Sequence, residues 1–213
     1  MPWEGGVGGQ VTVCRDGGKY RMWYGTRCGK GIDDQLLCYA ESEDGWAWTR
    51  PELGLFEFQG STRNNICRRG PGVRQGCTLI DPSAPSAERY KRIGHCPQWY
   101  DKGKEISAEE GLRRWRELGE AGYSRDEMRQ EVQLVGTHRG AVSADGIQWT
   151  ALEDIFFEMF CDTQTICVYD GERSKYVGYF RTHANGRRAI GRAETDDFRH
   201  WTKPETIVVP DLE

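Results

Sequence analysis

One ten-residue segment occurs three times in this chain, and it constrains the fold more than any other feature. The copies lie at residues 40–49, 141–150 and 193–202 and share the pattern Ala-x-Ser/Thr-x-Asp-Gly-x-x-Trp-Thr, with Phe198 in place of glycine in the third copy. A small polar residue followed by Asp-Gly favours a tight turn whose side chains hydrogen-bond the local backbone. The tryptophan that follows supplies a large apolar anchor. The chain is therefore predicted to repeat one structural unit.

The spacing of the copies predicts the kind of unit. Trp149 and Trp201 are 52 positions apart, whereas Trp48 and Trp149 are 101 positions apart. A period of roughly 40–50 residues is typical of β-propeller blades and similar arrays, so the longer interval indicates a unit that carries an insertion. Strand-like pairs precede each copy, which predicts three four-stranded units within one all-β domain over residues 1–213. The third unit is expected to open with the run 156–169.

The insertion in the second unit spans residues 97–131 and has a helical pattern. Ser107 with Glu110, and Ser124 with Glu127, resemble capping boxes ahead of residues at helical spacing, which predicts two short helices. The tail of the chain resembles the opening of a fourth unit. Because propellers typically have four to eight blades in a closed ring, the domain is expected to be incomplete, either as part of a longer protein or as a truncated gene product.

Composition fits this architecture and excludes several functional classes. Of the 213 residues, 27 are glycine and 8 are tryptophan, which suits short strands, glycine-rich turns and aromatic packing between sheets. The formal net charge of −4, with both signs interspersed, gives no electrostatic basis for binding nucleic acid or an anionic membrane. No window approaches the roughly 20 apolar residues of a membrane span, and no secretory signal pattern is present. A cytoplasmic location is expected for the chain as it stands.

The cysteines and histidines do not predict a metal site. None of the eight cysteines belongs to a Cys-x-x-Cys pair, so free thiols are favoured over a disulfide framework or a zinc cage. His95 and His138 can be neighbours on adjacent strands and could hold a metal there. Isolated strand histidines are more often hydrogen-bonded structural residues. We expect neither a metal nor a cofactor.

Several segments together resemble bacterial five-bladed propeller proteins of the glycoside-hydrolase-like type, related to the arabinanase and invertase families 43 and 32. The resemblance covers most of the chain outside the insertion and is carried by residues 38–48, 51–58, 64–66, 160–164, 188–190 and 196–202. It implies an all-β, five-bladed β-propeller, of which about three blades are present here, with a short helical insertion. It also implies glycoside hydrolysis by carboxylates that project into a central funnel.

The carboxylate candidates are Asp162, Asp81 and Glu4. Hydrolysis needs a general acid and a second carboxylate that acts as base or nucleophile. Asp162 precedes an expected inner strand, although it could equally cap backbone amides at the strand entry. Asp81 precedes Pro82, and a turn role is favoured for it. Glu4 lies beside Trp3 in a glycine-rich segment, where it could also belong to a frayed terminus.

Substrate binding is assigned to Trp3, Gln164, Arg181 and His183, with Trp3 as a sugar-stacking platform. The first hypothesis is a glycosidase acting on a poly- or oligosaccharide. The alternative is a non-catalytic carbohydrate-binding propeller module without a working carboxylate pair. A third possibility is a sialidase-like enzyme, because the repeated turn resembles an Asp-box. In this chain, however, Gly45 follows Asp44 directly, which is one residue tighter than the Asp-box spacing.

Overall fold

The computed structural model describes residues 3–27, 35–69, 73, 75–161 and 163–211. They form three antiparallel sheets that follow one another along the chain. Sheet 1 contains β1 (Val7–Asp16), β2 (Lys19–Arg27), β3 (Gln35–Ser42) and β4 (Ile66–Arg69). Sheet 2 contains β5 (Cys77–Ile80), β6 (Tyr90–Asp101), β8 (Val132–Ser143) and β9 (Thr150–Glu158), and β7 (Lys104–Ile106) pairs with β6. Sheet 3 contains β10 (Ile166–Asp170), β11 (Lys175–Ala184), β12 (Arg187–Thr195) and β13 (Glu205–Val208).

Two helices, α1 (Ala108–Glu120) and α2 (Arg125–Glu131), lie between β7 and β8. Ser124 forms the predicted capping box with Glu127, each side chain bonding the backbone N–H of the other residue. Ser107 accepts a hydrogen bond from the Glu110 N–H at the start of α1. The rest of residues 97–131 extends β6 and forms β7. Within the described ranges, neither helix combines the length and apolarity needed to span a membrane.

The three copies of the repeated segment form turns with equivalent hydrogen bonds. In the first turn, the Asp44 carboxylate accepts from the N–H groups of Trp46 and Ala47, both at 2.8 Å. Asp145 accepts in the same way from the N–H groups two and three residues further on, and so does Asp197. Hydrogen bonds to the carboxylate favour its charged form and lower the pKa of Asp44. The aspartate therefore organises each turn as a local acceptor.

The residue after the aspartate has a positive φ in every copy, and this explains the Asp-Gly pair. Gly45 and Gly146 have φ of 81° and 76°, which glycine adopts without steric cost. Phe198 adopts φ 65° at the same position, although it has a Cβ. Its side chain is fully buried and packs edge-to-face against Phe156 and Trp201. Burial of this ring offsets the backbone strain that glycine avoids in the other two turns.

Sheet 2 lies between the other two sheets and packs against both. The core it shares with sheet 1 centres on Trp23, Tyr39 and Tyr90. The core it shares with sheet 3 is formed by aromatic residues from both sheets, including Phe156, Phe157, Phe180, Phe198 and Trp201. The seven cysteines in the described part of the chain are free thiols, and most of them are buried.

The expectation that the run 156–169 opens the third unit is wrong at its start. Phe157 pairs with His138 of β8, so residues 156–158 complete the last strand of sheet 2. Sheet 3 begins only at Ile166. Both Phe156 and Phe157 are buried in the core between sheets 2 and 3, where large apolar rings from either sheet produce the same sequence pattern.

The first strands of the three sheets, β1, β5 and β10, lie side by side and run in the same direction. The Thr78 N–H donates to Thr12 Oγ1 at 3.1 Å, which links β5 to β1. The Cys167 N–H donates to Cys77 Sγ at 2.9 Å, which links β10 to β5. The molecule therefore has an amino end, where these three strands start, and a carboxyl end, where they stop.

The carboxyl end is held together by paired charges. Asp16, the last residue of β1, accepts from Arg89 at 2.6 and 3.0 Å and from the hydroxyl of Tyr90. The hydrogen bond from Arg89 is the main reason why the pKa of Asp16 is lowered to about 2. Because Tyr90 is the first residue of β6 and Arg89 directly precedes it, this carboxylate ties the first two sheets together.

We expect Trp23→Phe to destabilise the fold far more than Trp46→Phe. The Trp23 indole N–H donates to the buried Gly146 carbonyl at 2.6 Å, so phenylalanine leaves that carbonyl without its donor and a smaller ring in the core. The expected loss is about 1–3 kcal/mol in the free energy of unfolding, measured by urea denaturation. Trp46 is 91% exposed and serves as the matched control. Equal midpoints for the two variants would contradict this assignment.

We also expect Asp16→Asn to change how stability depends on pH. The pKa of Asp16 is about 2 in the folded protein and about 4 in an unfolded chain, so the ionised carboxylate stabilises the fold above pH 4. That contribution is lost as the pH falls from about 4 to about 2. Wild type should therefore be more stable than Asp16→Asn at pH 6, and the difference should shrink towards pH 2. A difference that stays constant in urea titrations across this range would exclude the mechanism.

Candidate functional site

Three glutamines lie at the amino end: Gln10 in the first half of β1, and Gln75 and Gln164 two residues before β5 and β10. Gln10 Oε1 accepts from the Gln75 N–H at 2.9 Å, and Gln164 Nε2 donates to the Val11 carbonyl at 2.9 Å. The Thr165 N–H donates to the Gln75 carbonyl at 2.7 Å. These bonds link all three sheets at one point. The amides therefore position the strand starts and place donor and acceptor atoms at the same end of the molecule.

A cavity of about 530 Å³ opens at this end between sheets 1 and 2. We call it the first cavity. Its polar lining consists of Gln10, Thr26, Gln75 and Arg92. The rest of its wall is made by small or apolar residues, namely Gly5, Gly6, Val7, Gly8, Gly25, Val73 and Gly76. A volume of this size lies in the range of small-molecule sites.

Arg92 is the one charged side chain among the described residues that line the first cavity, and it is 4% exposed. Its Nη1 donates to Thr78 Oγ1 at 3.1 Å and its Nη2 donates to the Val73 carbonyl at 2.6 Å. Its Nε has no hydrogen-bond partner in the described part of the structure. Burial disfavours the charged form and lowers the pKa of Arg92 to about 10. The guanidinium therefore remains charged at neutral pH.

Glu4 precedes the lining residues Gly5 and Gly6 in the chain, but it is not itself among the described residues that line the first cavity. The hydroxyl of Tyr24 donates to Glu4 Oε1 at 2.6 Å, and Arg50 forms an ion pair with Oε2 at 3.4 Å. Only 5% of the Glu4 side chain is exposed. Burial, with the hydrogen bond to Glu4 as the next cause, raises the pKa of Tyr24. Glu4 is therefore held in one position rather than frayed.

The other carboxylate candidates are placed differently. Asp81 lies at the carboxyl end, just after β5, and is 2% exposed. It accepts from the Ser83 hydroxyl at 2.6 Å and from the Tyr176 hydroxyl. Burial tends to raise the pKa of Asp81, but these bonds outweigh it and the pKa is lowered. These contacts favour the turn role for Asp81, and they separate it from Glu4. Asp162 lies outside the described residues.

Gln164 and Arg181 come together at a second cavity of about 480 Å³ at the amino end of sheet 3. This second cavity is mainly apolar, with Ile166, Tyr179 and Ile190 in its wall. The Arg181 guanidinium lies 5.9 Å from the centre of the Phe160 ring. His183 is exposed on the same strand, two residues beyond Arg181.

Trp3 lies elsewhere. Its ring packs against Phe58 with the ring centres 5.3 Å apart, on the apolar cluster of sheet 1 that contains Tyr24 and Ile66. Trp3 is not among the described residues that line either cavity. A sugar-stacking role for this ring remains a prediction that its packing does not support.

His95 and His138 are neighbours, as their strand positions suggest. Their rings lie 5.6 Å apart, and His138 Nε2 is 3.4 Å from Thr165 Oγ1. Burial, with a smaller effect of His95, lowers the pKa of His138 to about 3, so this ring is neutral at physiological pH. Among the residues with described positions, no group of three or more His, Cys, Asp or Glu side chains could hold a metal ion.

Sequence reasoning missed Gln10, Gln75 and Arg92. A signal for the glutamines was present, because a glutamine opens each of the runs at residues 10–14, 75–80 and 164–168, shortly before the apolar residues of the first strand. Aligning the three first strands on these runs would have placed the amides at one end. Arg92 had no comparable signal, since its burial depends on how sheets 1 and 2 pack.

We expect Gly76→Ala to destabilise the protein, whereas Gly25→Ala does not, although both residues line the first cavity. A Cβ at Gly76 would lie 2.2 Å from the Ile93 carbonyl oxygen, so the backbone has to move. A Cβ at Gly25 meets no atom within 4 Å. The expected loss for Gly76→Ala is about 1–3 kcal/mol in urea unfolding. Gly25→Ala should be neutral or slightly stabilising, and similar losses for both would contradict the prediction.

No protein-family model matches this sequence. Two uncharacterized proteins of Mycobacterium tuberculosis, from strains CDC 1551 / Oshkosh and ATCC 25618 / H37Rv, are 38% identical to the chain over 60 residues. The match covers 26% of this chain and 20% of each relative. These relatives are therefore similar to the chain over one segment only.

Several solved structures resemble the whole chain. The GH32 beta-fructofuranosidase of Bombyx mori matches 97% of this chain and 35% of its own, with a TM-score of 0.56 and 9% identity. A family 117 glycoside hydrolase of Zobellia galactanivorans matches 98% of this chain and 49% of its own, with a TM-score of 0.57 and 10% identity. An N-acetylgalactosamine deacetylase from F. plautii, solved with blood group B trisaccharide, matches 95% of this chain and 54% of its own, with a TM-score of 0.54 and 12% identity.

These comparisons establish the fold at a coarse level. At such low identities the likeness concerns the fold alone. The chain spans between about a third and about half of the length of these three structures. Its three antiparallel sheets therefore have the fold of one part of these carbohydrate-active proteins.

Proposed function

We propose that the three sheets are consecutive blades of a five-bladed β-propeller and that further chain supplies the remaining blades. Two observations support this arrangement: the parallel first strands, and the fold shared with longer glycoside hydrolases. Val11 and Val13 of β1 and Ile166 and Val168 of β10 are exposed and line one common space together with β5. In a propeller, the first strands of the blades surround the central axis in this way.

We propose that the protein binds a poly- or oligosaccharide at the amino end. The observation that carries this proposal is the first cavity, which places two amides, a hydroxyl and a guanidinium around one space in a chain with a glycoside-hydrolase fold. Amide side chains both donate and accept hydrogen bonds, which matches the mixed donor and acceptor character of sugar hydroxyls. The glycine-rich wall leaves room for a sugar ring beside these groups.

Hydrolysis of the bound glycan is the fuller form of this proposal. It requires a proton donor to the leaving oxygen and a second carboxylate that acts as base or nucleophile. We assign these roles to Asp162 and Glu4. Glu4 precedes the cavity-lining residues Gly5 and Gly6 in the chain, and Asp162 precedes the first strand of sheet 3. Asp81 belongs to the other end and takes no part in this pair.

Carbohydrate binding without hydrolysis is the second candidate. The observation that favours it is the chemistry of the amino end, where Gln10 and Gln75 line the first cavity and Gln164 carries a third side-chain amide. An amide can hold a sugar hydroxyl but cannot act as general acid or base at neutral pH. Moreover, Glu4 is already engaged with Tyr24 and Arg50.

A polysaccharide panel separates these outcomes. If the protein is a hydrolase, wild type should release reducing sugar from at least one polymer, and Asp162→Asn and Glu4→Gln should each slow the release by about 10²–10⁴-fold. Asp81→Asn, whose carboxylate lies at the carboxyl end, should keep the wild-type rate when compared below its melting temperature. A loss of rate with Asp81→Asn as large as that with Asp162→Asn would contradict the location of the site.

Binding is measured in parallel by affinity electrophoresis with the same polymers. Retention of wild type without release of reducing sugar would establish the binding module and exclude the hydrolase. The proposed function is overturned if no polymer of the panel retains the protein and none releases reducing sugar.

A further inference from the structure

Arg92 lacks a negatively charged partner in the described part of the chain, which is unusual for a buried arginine. The two hydrogen bonds that it donates end on neutral oxygens, the Thr78 hydroxyl and the Val73 carbonyl. A guanidinium has five N–H donors, and its Nε–H is not bonded to any described atom. Burying a charge without a counter-charge costs free energy, so proteins rarely retain one unless a bound partner neutralises that charge.

The surroundings of Arg92 increase this need for an anion. Arg68 is a second, largely buried guanidinium whose charge acts on Arg92 in the same direction as burial. The nearby thiols of Cys67 and Cys77 have pKa values raised to about 12 by burial. Both thiols are therefore neutral at pH 7 and do not balance the charge.

The first cavity offers space for the missing partner. Arg92 lines it together with Gln10, Gln75 and Thr26. A carboxylate is the planar anion that pairs best with a guanidinium, because two parallel N–H···O bonds can form. The amides and the hydroxyl around the same space suit the hydroxyl groups of a sugar ring. One ligand class carries both features, namely a sugar with a carboxylate.

We propose that the first cavity binds the acidic sugar unit of a uronic-acid-containing glycan, with the sugar carboxylate on Arg92 and the ring hydroxyls on Gln10 and Gln75. This inference rests on the proposed function and specifies its substrate class. Neutral hexoses lack the carboxylate that would pair with the Arg92 guanidinium. They are therefore expected to bind the cavity weakly.

The test measures binding of D-galacturonate, D-glucuronate, D-galactose, D-glucose and acetate by isothermal titration calorimetry at pH 7. We expect one of the uronates to bind at least about 10-fold more tightly than its neutral counterpart, as for a charge-assisted hydrogen bond. Added salt should weaken uronate binding more than neutral-sugar binding. Acetate tests whether a carboxylate alone is sufficient for binding. If acetate binds as tightly as the uronates, the assignment of the ring hydroxyls to Gln10 and Gln75 is contradicted.

Variants assign the preference to Arg92. Arg92→Gln should remove the preference for the acid over the neutral sugar, and Arg92→Lys, which keeps the charge, should retain part of it. Arg63→Gln is the control, because 79% of the Arg63 side chain is exposed and it pairs with Glu52. Gly25→Leu keeps the charge but fills the cavity from a position with open space, so it should weaken binding of both sugar types. It also tests the location of the site if Arg92→Gln does not fold.

The outcomes separate this inference from the proposed function. If neutral and acidic sugars bind equally, or if Arg92→Gln folds and keeps the wild-type preference, the acidic-sugar inference is overturned while carbohydrate binding stands. If no sugar of the set binds and no polymer of the panel is retained, the proposed function fails and the inference fails with it.

Discussion

The contact between sheets 1 and 2 depends on one aspartate-centred turn, of the kind that joins the third strand of each sheet to the segment that follows. In sheet 2 this turn is also a contact between sheets, because the Gly146 carbonyl accepts the indole N–H of Trp23 and the Asp145 carbonyl accepts from Arg21. The internal hydrogen bonds of Asp145 fix the direction of those carbonyls. A local motif thereby sets the distance and orientation between two sheets, and the first cavity lies in the same interface.

The two ends of the first strands differ in how their charges are balanced. At the carboxyl end, Asp16 is matched by Arg89 and Tyr90, and Asp81 is matched by Ser83 and Tyr176. At the amino end, the guanidinium of Arg92 is surrounded by neutral partners and an open space. Stability alone explains the first arrangement but does not explain the second. The proposed ligand site at the amino end would supply the counter-charge that Arg92 lacks among the described residues.

Features that depend on neighbouring residues in the sequence could be predicted, whereas features that depend on packing between sheets could not. The turns and the capping box at Ser124 follow from local hydrogen bonds, and the sequence was sufficient for them. The assignment of Phe156 to the third unit was wrong because a buried aromatic ring fits either side of one shared core. Glu4 and Asp81 were both plausible carboxylates in the sequence, but only the direction of β1 and β5 shows that they lie at opposite ends. Arg92 could not be recognised because its environment is made by two sheets.

The shared fold does not determine the chemistry of this site, since proteins with the same fold act on their substrates in different ways. The residues themselves limit it more closely. Amides at the amino end and a guanidinium in the adjacent interface have the hydrogen-bonding groups that oxygen-rich ligands need, yet none of them can transfer a proton at neutral pH. Any hydrolysis would therefore need carboxylates outside this set, and the amides and Arg92 would fix the position of the sugar relative to them. The backbone at Gly76 lies so close to the Ile93 carbonyl that even a methyl group there would displace the start of β5. This close packing restricts where the wall of the first cavity can lie.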